Sequence, residues 1–238
     1  MHSVEVYVSL NESSTSRFDF GRIADRYDAW YQAPRGAMYD RMEKRAIERL
    51  LPPAPNGGKL LEIGCGTGHW SQYFVSRGFE VTGVDVSERM IAVARQKNIA
   101  GATFEVADAG RLPIADNTFD VAAAITSLEF VQDSARTVAE MARCVKKMSG
   151  TLIVGALNRL SPYNQGKQRN ASSMYASARL FSPDDLKNLL KPFGEPVVRV
   201  AGYVPRRESL LWLSPVLEWI GHLTDNEHGA FLAAKVTL

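Results

Sequence analysis

The chain has little cysteine: Cys65 and Cys144 are its two among 238 residues. One sits among glycines and the other in a helix-like stretch. They form neither a disulfide framework nor a metal cluster, so no metal site is expected and a reducing cytoplasm suits the pair. Net charge is also small, +2 from 28 basic and 26 acidic residues. Without a basic stripe, nucleic acid is not an expected partner. No apolar run is long enough to span a bilayer, so no integral membrane segment is expected. Met1 to Leu10 lacks the basic-then-apolar build of a signal peptide. There is no internal repeat and no low-complexity tract. A hydrophobic fraction of 45% and a charged fraction of 23% are ordinary for one globular domain with or without elaborations.

What is present is concentrated in Leu60-Leu61-Glu62-Ile63-Gly64-Cys65-Gly66-Thr67-Gly68. The apolar run reads as a buried parallel strand. The glycines permit a tight turn and a ligand's close approach. His69 to Arg77 reads as a helix with Trp70, Tyr73 and Phe74 on one face and Gly78 as its stop. Strand, glycine turn and helix build a nucleotide cleft. Two familiar fingerprints fail. Gly-x-Gly-x-x-Gly read from Gly64 ends on His69, and read from Gly66 it ends on Ser71. No Lys-Ser/Thr pair follows for a phosphate loop. A second apolar run, Phe79 to Asp85, ends in an acid about 20 residues on, where a nucleotide fold places a carboxylate on ribose hydroxyls. A carboxylate can accept both hydroxyl protons. Ser87 is a good N-cap for the helix after it.

Glu-x-Gly-x-Gly-x-Gly after a strand resembles the first motif of the class I S-adenosylmethionine (SAM)-dependent methyltransferases, of the small-molecule type. The resemblance implies SAM as cofactor. It passes Gly64, Cys65, Gly66 and Gly68 beneath the methionine and ribose part and gives Glu62 the loop and the amino group. Asp85, with Val86, meets the ribose, and Met90 packs on the adenine. Asp108 after Ala102 to Val106 accepts from the adenine amine, and the Ala109 amide meets a ring nitrogen. Thr126 and Ser127, at the end of the strand Val121 to Thr126, complete the cofactor set. Ala24, Tyr27, Asp28 and Trp30 match an Ala-x-x-Tyr-Asp-x-Trp segment that folds over the cofactor as a lid. Tyr27 and Trp30 are thereby expected beside it, where an aromatic face attracts a sulfonium. Core packing is the alternative for this cluster. Leu128, Glu129, Val131 and Asp133 match a Leu-Glu-His-Val-x-Asp pattern, with Phe130 in place of His. Glu129 is the candidate catalytic residue, as a substrate contact or base; the alternative is that it only orders its loop. Ile114 replaces a Phe after Leu112-Pro113, and Met148-Ser149-Gly150 replaces Pro-Gly-Gly.

The implied fold is α/β, a doubly wound, mostly parallel seven-stranded sheet of Rossmann-like type with an N-terminal helical lid. Residues 1–58 form a weak strand (Val4 to Leu10) and the lid, whose helical stretch Arg17 to Leu51 is interrupted near Pro34-Arg35-Gly36. Residues 59–238 form the SAM-binding domain. An amphipathic helix over Asp133 to Lys147 leads to the fifth strand, Thr151 to Ala156. The polar segment 157–180 is the expected substrate arm, with Ser161-Pro162-Tyr163 read as a turn. Ser182-Pro183-Asp184-Asp185 starts a helix. Val197 to Ala201 is the sixth strand. Gly229 to Val236 is the seventh, which in the family runs antiparallel beside the fifth. Within 205–228 lies an apolar stretch, Leu210 to Gly221. It suits a lid or core helix, a cap on an apolar pocket, a homodimer contact or a membrane surface. The function implied is methyl transfer by in-line displacement to a small, apolar metabolite. The alternatives are a non-catalytic SAM-binding regulatory or assembly protein and, against the failed fingerprint, a dinucleotide enzyme.

Overall fold

The structure is a computed structural model that describes residues 16, 18, 20–171, 173–205 and 207–238. The strand expected over Val4 to Leu10 lies outside the described residues. A 3-10 turn, Phe20–Arg26, leads into α1 (Ala29–Gln32) and α2 (Pro34–Glu48). Pro34 occupies the first turn of α2, where its missing N–H costs nothing and its fixed φ favours the helix. It therefore starts the long helix rather than interrupting one.

Next in the chain come β1 (Lys59–Ile63), α3 (His69–Ser76), β2 (Glu80–Asp85), α4 (Glu88–Gln96), β3 (Ala102–Val106), β4 (Val121–Ile125), α5 (Ser134–Cys144) and β5 (Thr151–Leu157). The last third holds α6 (Pro162–Arg169), α7 (Pro183–Leu190), β6 (Val197–Ala201), α8 (Ser214–Leu223) and β7 (Phe231–Thr237). The seven strands lie in the order β3-β2-β1-β4-β5-β7-β6. The first five are parallel, and β7 runs antiparallel to both β5 and β6. This is the expected doubly wound sheet.

Both faces are covered, which is why the central strands read as unbroken apolar runs. Successive side chains alternate between faces. On β1, Leu61 and Ile63 join Val138 and Met141 of α5, while Leu60 joins Trp70 and Phe74 of α3 and Ile47 of α2. Leu60, Leu61 and Ile63 have no exposed surface, and each contributes about 1.5–3 kcal/mol by burial. Helix starts obey their local chemistry. Ser87 and Asp133 accept the N–H of Met90 and Arg136, and Ser182 with Asp185 forms a reciprocal capping box.

Two segments differ from expectation. Ser161-Pro162-Tyr163 opens α6 rather than making a turn, because Ser161 is extended and Pro162 takes the first helical position. The stretch Leu210 to Gly221 forms a 3-10 turn and α8. These touch α2 and β6 but leave Trp212 and Trp219 at 70% and 64% exposure. Among the described residues, no helix is long and apolar enough to cross a membrane.

Candidate active site

The sheet order reverses between β1 and β4, and the crevice at their carboxyl ends is where such sheets bind ligands. β1 ends in the glycine loop. Gly64, Gly66 and Gly68 adopt φ of +68°, +54° and +79°, a region that costs other residues about 1–2 kcal/mol. The N–H groups of Gly64 and Cys65 both donate to the Val84 carbonyl at 2.8 and 3.0 Å, which pins the loop to β2. A Cβ on Gly64 would stand 2.5 Å from Ser127 Cβ, whereas nothing lies within 4 Å of the Cβ position on Gly66. The backbone at Gly66 thus opens on free space.

A cavity of about 490 Å³ occupies that space. Its walls include Tyr27, Glu62, Gly64, Cys65, Gly66, Asp85, Val86, Met90, Asp108, Ala109, Thr126 and Ser127. Asp85, at the end of β2, is held at both oxygens: Oδ2 accepts the Gly66 N–H at 2.9 Å and Oδ1 the Ser87 N–H at 2.8 Å. Burial pushes its carboxyl up, and these backbone donors pull the other way. Asp108 Oδ1 accepts the Gly110 N–H at 2.8 Å, fixing the side chain in a local turn. Glu62 is 2% exposed and takes the Ser71 hydroxyl on Oε2 at 2.5 Å. Burial pushes its carboxyl up to about 8. An ammonium group reaching Glu62 would offset that penalty.

The lid closes over this cavity through a polar pin. Asp28 accepts the Thr67 hydroxyl at 2.6 Å and pairs with Lys97 at 2.5 Å. Tyr31 stacks on His69 with centroids 3.6 Å apart. His69 is held by Asp40 of α2, Nε2 to Oδ1 at 2.7 Å. His69 and Phe20 line the cavity and carry no signal in the sequence. No local motif marks them: His69 is placed by Asp40, distant in the chain, and Phe20 comes from the 3-10 turn Phe20–Arg26, distant from the glycine loop.

Three expected site residues stand elsewhere. Trp30 does not line this cavity; it faces a second one, where its ring lies 4.5 Å from the Lys167 ammonium. Gly68 starts α3, and its Cβ position is 3.0 Å from Phe104. It serves the turn and the packing rather than a wall. Glu129 is wholly buried and lines neither cavity. Its Oε1 accepts the Leu157 N–H at 2.5 Å and its carbonyl the Arg179 N–H at 2.8 Å. It ties the loop after β4 to β5 and to the chain beyond α6. Those bonds hold the loop through Oε1 and the carbonyl, while Oε2 is buried without a hydrogen-bond partner among the described residues. Phe130, where relatives carry His, packs edge-on to Phe20 with centroids 4.8 Å apart, so this wall is apolar. The apolar stretch around α8 lines neither cavity.

The second cavity, of about 440 Å³, lies against the first. Its walls come from the lid, α2, α6 and the 3-10 turn Met174–Ser177. Thr126 belongs to both cavities and takes φ of +48°, a conformation costly for a β-branched residue and concentrated at functional sites. Among the described residues, no group of three or more His, Cys, Asp or Glu is placed to hold a metal.

A switch-point crevice with a glycine loop, a strand-end carboxylate and a second acid one strand further on defines a nucleoside-binding α/β protein. A methyltransferase-domain family model matches residues 61–154. O-methyltransferase cnsE of Penicillium expansum is 32% identical over 204 residues, covering 82% of this chain and 72% of that one. A malonyl-[acyl-carrier protein] O-methyltransferase of Pectobacterium atrosepticum is 32% identical over 148 residues, and the chain spans about half of that relative's length, 54%. A SAM-dependent methyltransferase of known structure from Thermotoga maritima superposes with a TM-score of 0.72 at 30% identity, covering 92% of this chain and 97% of that one. The chain belongs to the class I S-adenosylmethionine-dependent methyltransferases. The residues present fit that cofactor. The open space over Gly66 would be filled by any side chain, and Glu62 retains an oxygen with no partner among the described residues for a cationic amino group.

Proposed function

We propose that the protein methylates a small molecule held in the second cavity, drawing the methyl group from SAM held in the first. The observation that carries this reading is the shared wall: Phe20, Tyr27, Tyr31, Thr126 and Phe130 line both cavities. Two ligands meeting there would be separated only by that wall's opening. S-adenosylmethionine supplies a methyl group already activated on a sulfonium, so the protein's share is alignment and exclusion of water.

The chain's residues divide that work. Asp85, Val86, Met90, Asp108 and Ala109 hold the nucleoside end, and Glu62 with the loop Gly64 to Gly66 holds the amino-acid end. Ser127 backs the loop, its hydroxyl bonded to the Ile63 carbonyl at 2.9 Å. Tyr27 faces the reacting zone as a neutral phenol, since burial pushes it up to about 12. Phe20, Phe130 and Tyr31 keep water out. Segment 157–180 is the substrate arm: Tyr163, Asn164, Lys167, Met174 and Tyr175 all face the second cavity. The two free, buried cysteines support a reducing compartment, the cytoplasm.

Calorimetry should give saturable binding of SAM and S-adenosylhomocysteine. A screen of small aromatic and aliphatic acceptors should give S-adenosylhomocysteine release. Cofactor binding without turnover of any acceptor would favour a regulatory SAM-binding protein, and no cofactor binding would overturn both readings.

A further inference from the structure

The second cavity contains polar groups that no described residue satisfies. α6 carries Tyr163 and Lys167, four residues apart and so on one face. The Lys167 ammonium lies 4.5 Å from the ring centre of Trp30, 4.6 Å from that of Tyr163 and 4.5 Å from that of Tyr175. Three aromatic faces attract the charge but give its three N–H donors no strong acceptor. The Lys167 ammonium makes no hydrogen bond and no ion pair with any described residue.

From α2, Glu43 lines the same cavity, and its carboxylate likewise has no hydrogen-bond or ion-pair partner among the described residues. One turn earlier, Tyr39 is 4% exposed, lines the same cavity, and its hydroxyl is buried without a hydrogen-bond partner. Lys167 and Glu43 feel each other's charge yet do not close into a pair. Burial pushes Glu43 up to about 7 and Lys167 down to about 8. Both penalties are relieved by a ligand of opposite polarity placed between them.

Resting on the reading of this cavity as the acceptor site, we propose that the methyl acceptor is a flat, largely apolar molecule with two polar ends: an anionic oxygen group bound by Lys167 and a hydrogen-bond donor accepted by Glu43. Flatness comes from the ring-lined walls. The sign of charge comes from the balance of groups. Lys167 already fills the aromatic cage, Arg26 lines the cavity, and the Arg35 guanidinium lies 5.8 Å from the Tyr163 ring. Against these stand Glu43 on the cavity wall and, behind it, the Asp40 and Glu129 carboxyls, which raise it but do not line the cavity. A cationic guest would have to displace Lys167, whereas an anionic oxygen completes a charge-assisted hydrogen bond with it.

The test uses four probes of one shape: 6-hydroxy-2-naphthoate, its methyl ester, its aminomethyl counterpart, and 6-methoxy-2-naphthoate. Each is titrated calorimetrically into the protein with and without saturating S-adenosylhomocysteine. The hydroxy acid should bind at least about tenfold more tightly than the ester or the amine. The methoxy acid, lacking the donor, should bind several-fold more weakly than the hydroxy acid. Lys167→Met should abolish the preference for acid over ester while binding S-adenosylhomocysteine as the wild type does, which also reports that the variant is folded. Equal or tighter binding of the amine, a preference that survives in Lys167→Met, or no measurable binding of the acid overturns the inference. Those outcomes leave the cofactor reading intact where S-adenosylhomocysteine still binds. Failure of S-adenosylhomocysteine to bind wild type overturns the cofactor reading, and the titrations without it still decide the acid preference.

Discussion

The two cavities share a wall but are built differently. The first is a backbone site. Its loop conformation, its two amide bonds to Val84, and the two amides on Asp85 come from residues within one β-loop-α unit and the strand beside it. The second is a side-chain site. Glu43, Trp30, Tyr163, Lys167 and Tyr175 arrive from four separate segments, and its polar ends lack partners among the described residues. A backbone site with every donor placed suits a ligand that never changes. A side-chain site changes by substitution on helices, leaving the sheet untouched. One fold can thereby keep its cofactor and vary its acceptor.

The largest expected effect tests how rigid the backbone site is. Gly64→Ala adds a Cβ 2.5 Å from Ser127 Cβ at φ of +68°. Together the left-handed backbone and the overlap should cost about 2–5 kcal/mol in urea unfolding. Gly66→Ala meets no neighbour and should cost only the backbone part, about 1–2 kcal/mol, while blocking the cofactor's approach. Equal stability losses in the two variants would show that the loop gives way, and the contrast between the cavities would break.

Next comes Asp85→Ala. It removes a carboxylate that orders the Gly66 and Ser87 amides, and SAM binding should weaken by about 1–3 kcal/mol in calorimetry. Acceptor binding should barely move. Lys167→Met is the mirror image, altering acceptor binding and leaving SAM affinity within about 0.5 kcal/mol. Loss of both affinities in either variant would mean that the cavities act as one site.

The same contrast explains which features are legible in the residues alone. The sheet is legible because a doubly covered parallel strand must be apolar throughout, as at Leu60 to Ile63 and Val121 to Ile125. Asp85 is legible because it ends a strand at a set distance from the glycine turn, whereas Asp108, two residues past β3, is legible only through the family resemblance. Trp30 falls outside its expected cavity because the Tyr-Asp-x-Trp pattern fixes only the helical turn. Tyr27, just before α1, and Trp30, in α1's first turn, sit three apart, yet the first reaches both cavities and the second only the outer one. Lys167 and Glu43 carry no local signal: each is one charged residue on a helix, and only the tertiary fold encloses them. Ser161-Pro162 reads as a turn because a proline can open either a turn or a helix, and the residues after Pro162 decide between them.

The smallest effect concerns Glu129, which belongs to neither cavity. Its carboxyl is pushed up to about 7 by burial, with the Leu157 N–H pulling the other way, against about 4.3 in an unfolded chain. Between about pH 4.5 and 7 the folded state therefore holds a proton that the unfolded state has lost, and stability falls as pH rises through that window. Glu129→Gln keeps an oxygen for the Leu157 N–H and cannot ionise. Relative to wild type, the variant should gain about 1–2 kcal/mol between pH 5 and pH 8 in urea unfolding. The overall decline of stability with pH should persist, because Glu43 and Glu62 are raised by burial too. Methyl transfer by Glu129→Gln should stay within about twofold of wild type if the side chain only frames its loop, as its place outside both cavity linings suggests. A general base lost would instead cost about 10²–10⁴-fold and remove an acidic limb from the pH–rate profile. That outcome would return Glu129 to the reacting centre and require the wall between it and the second cavity to open during turnover.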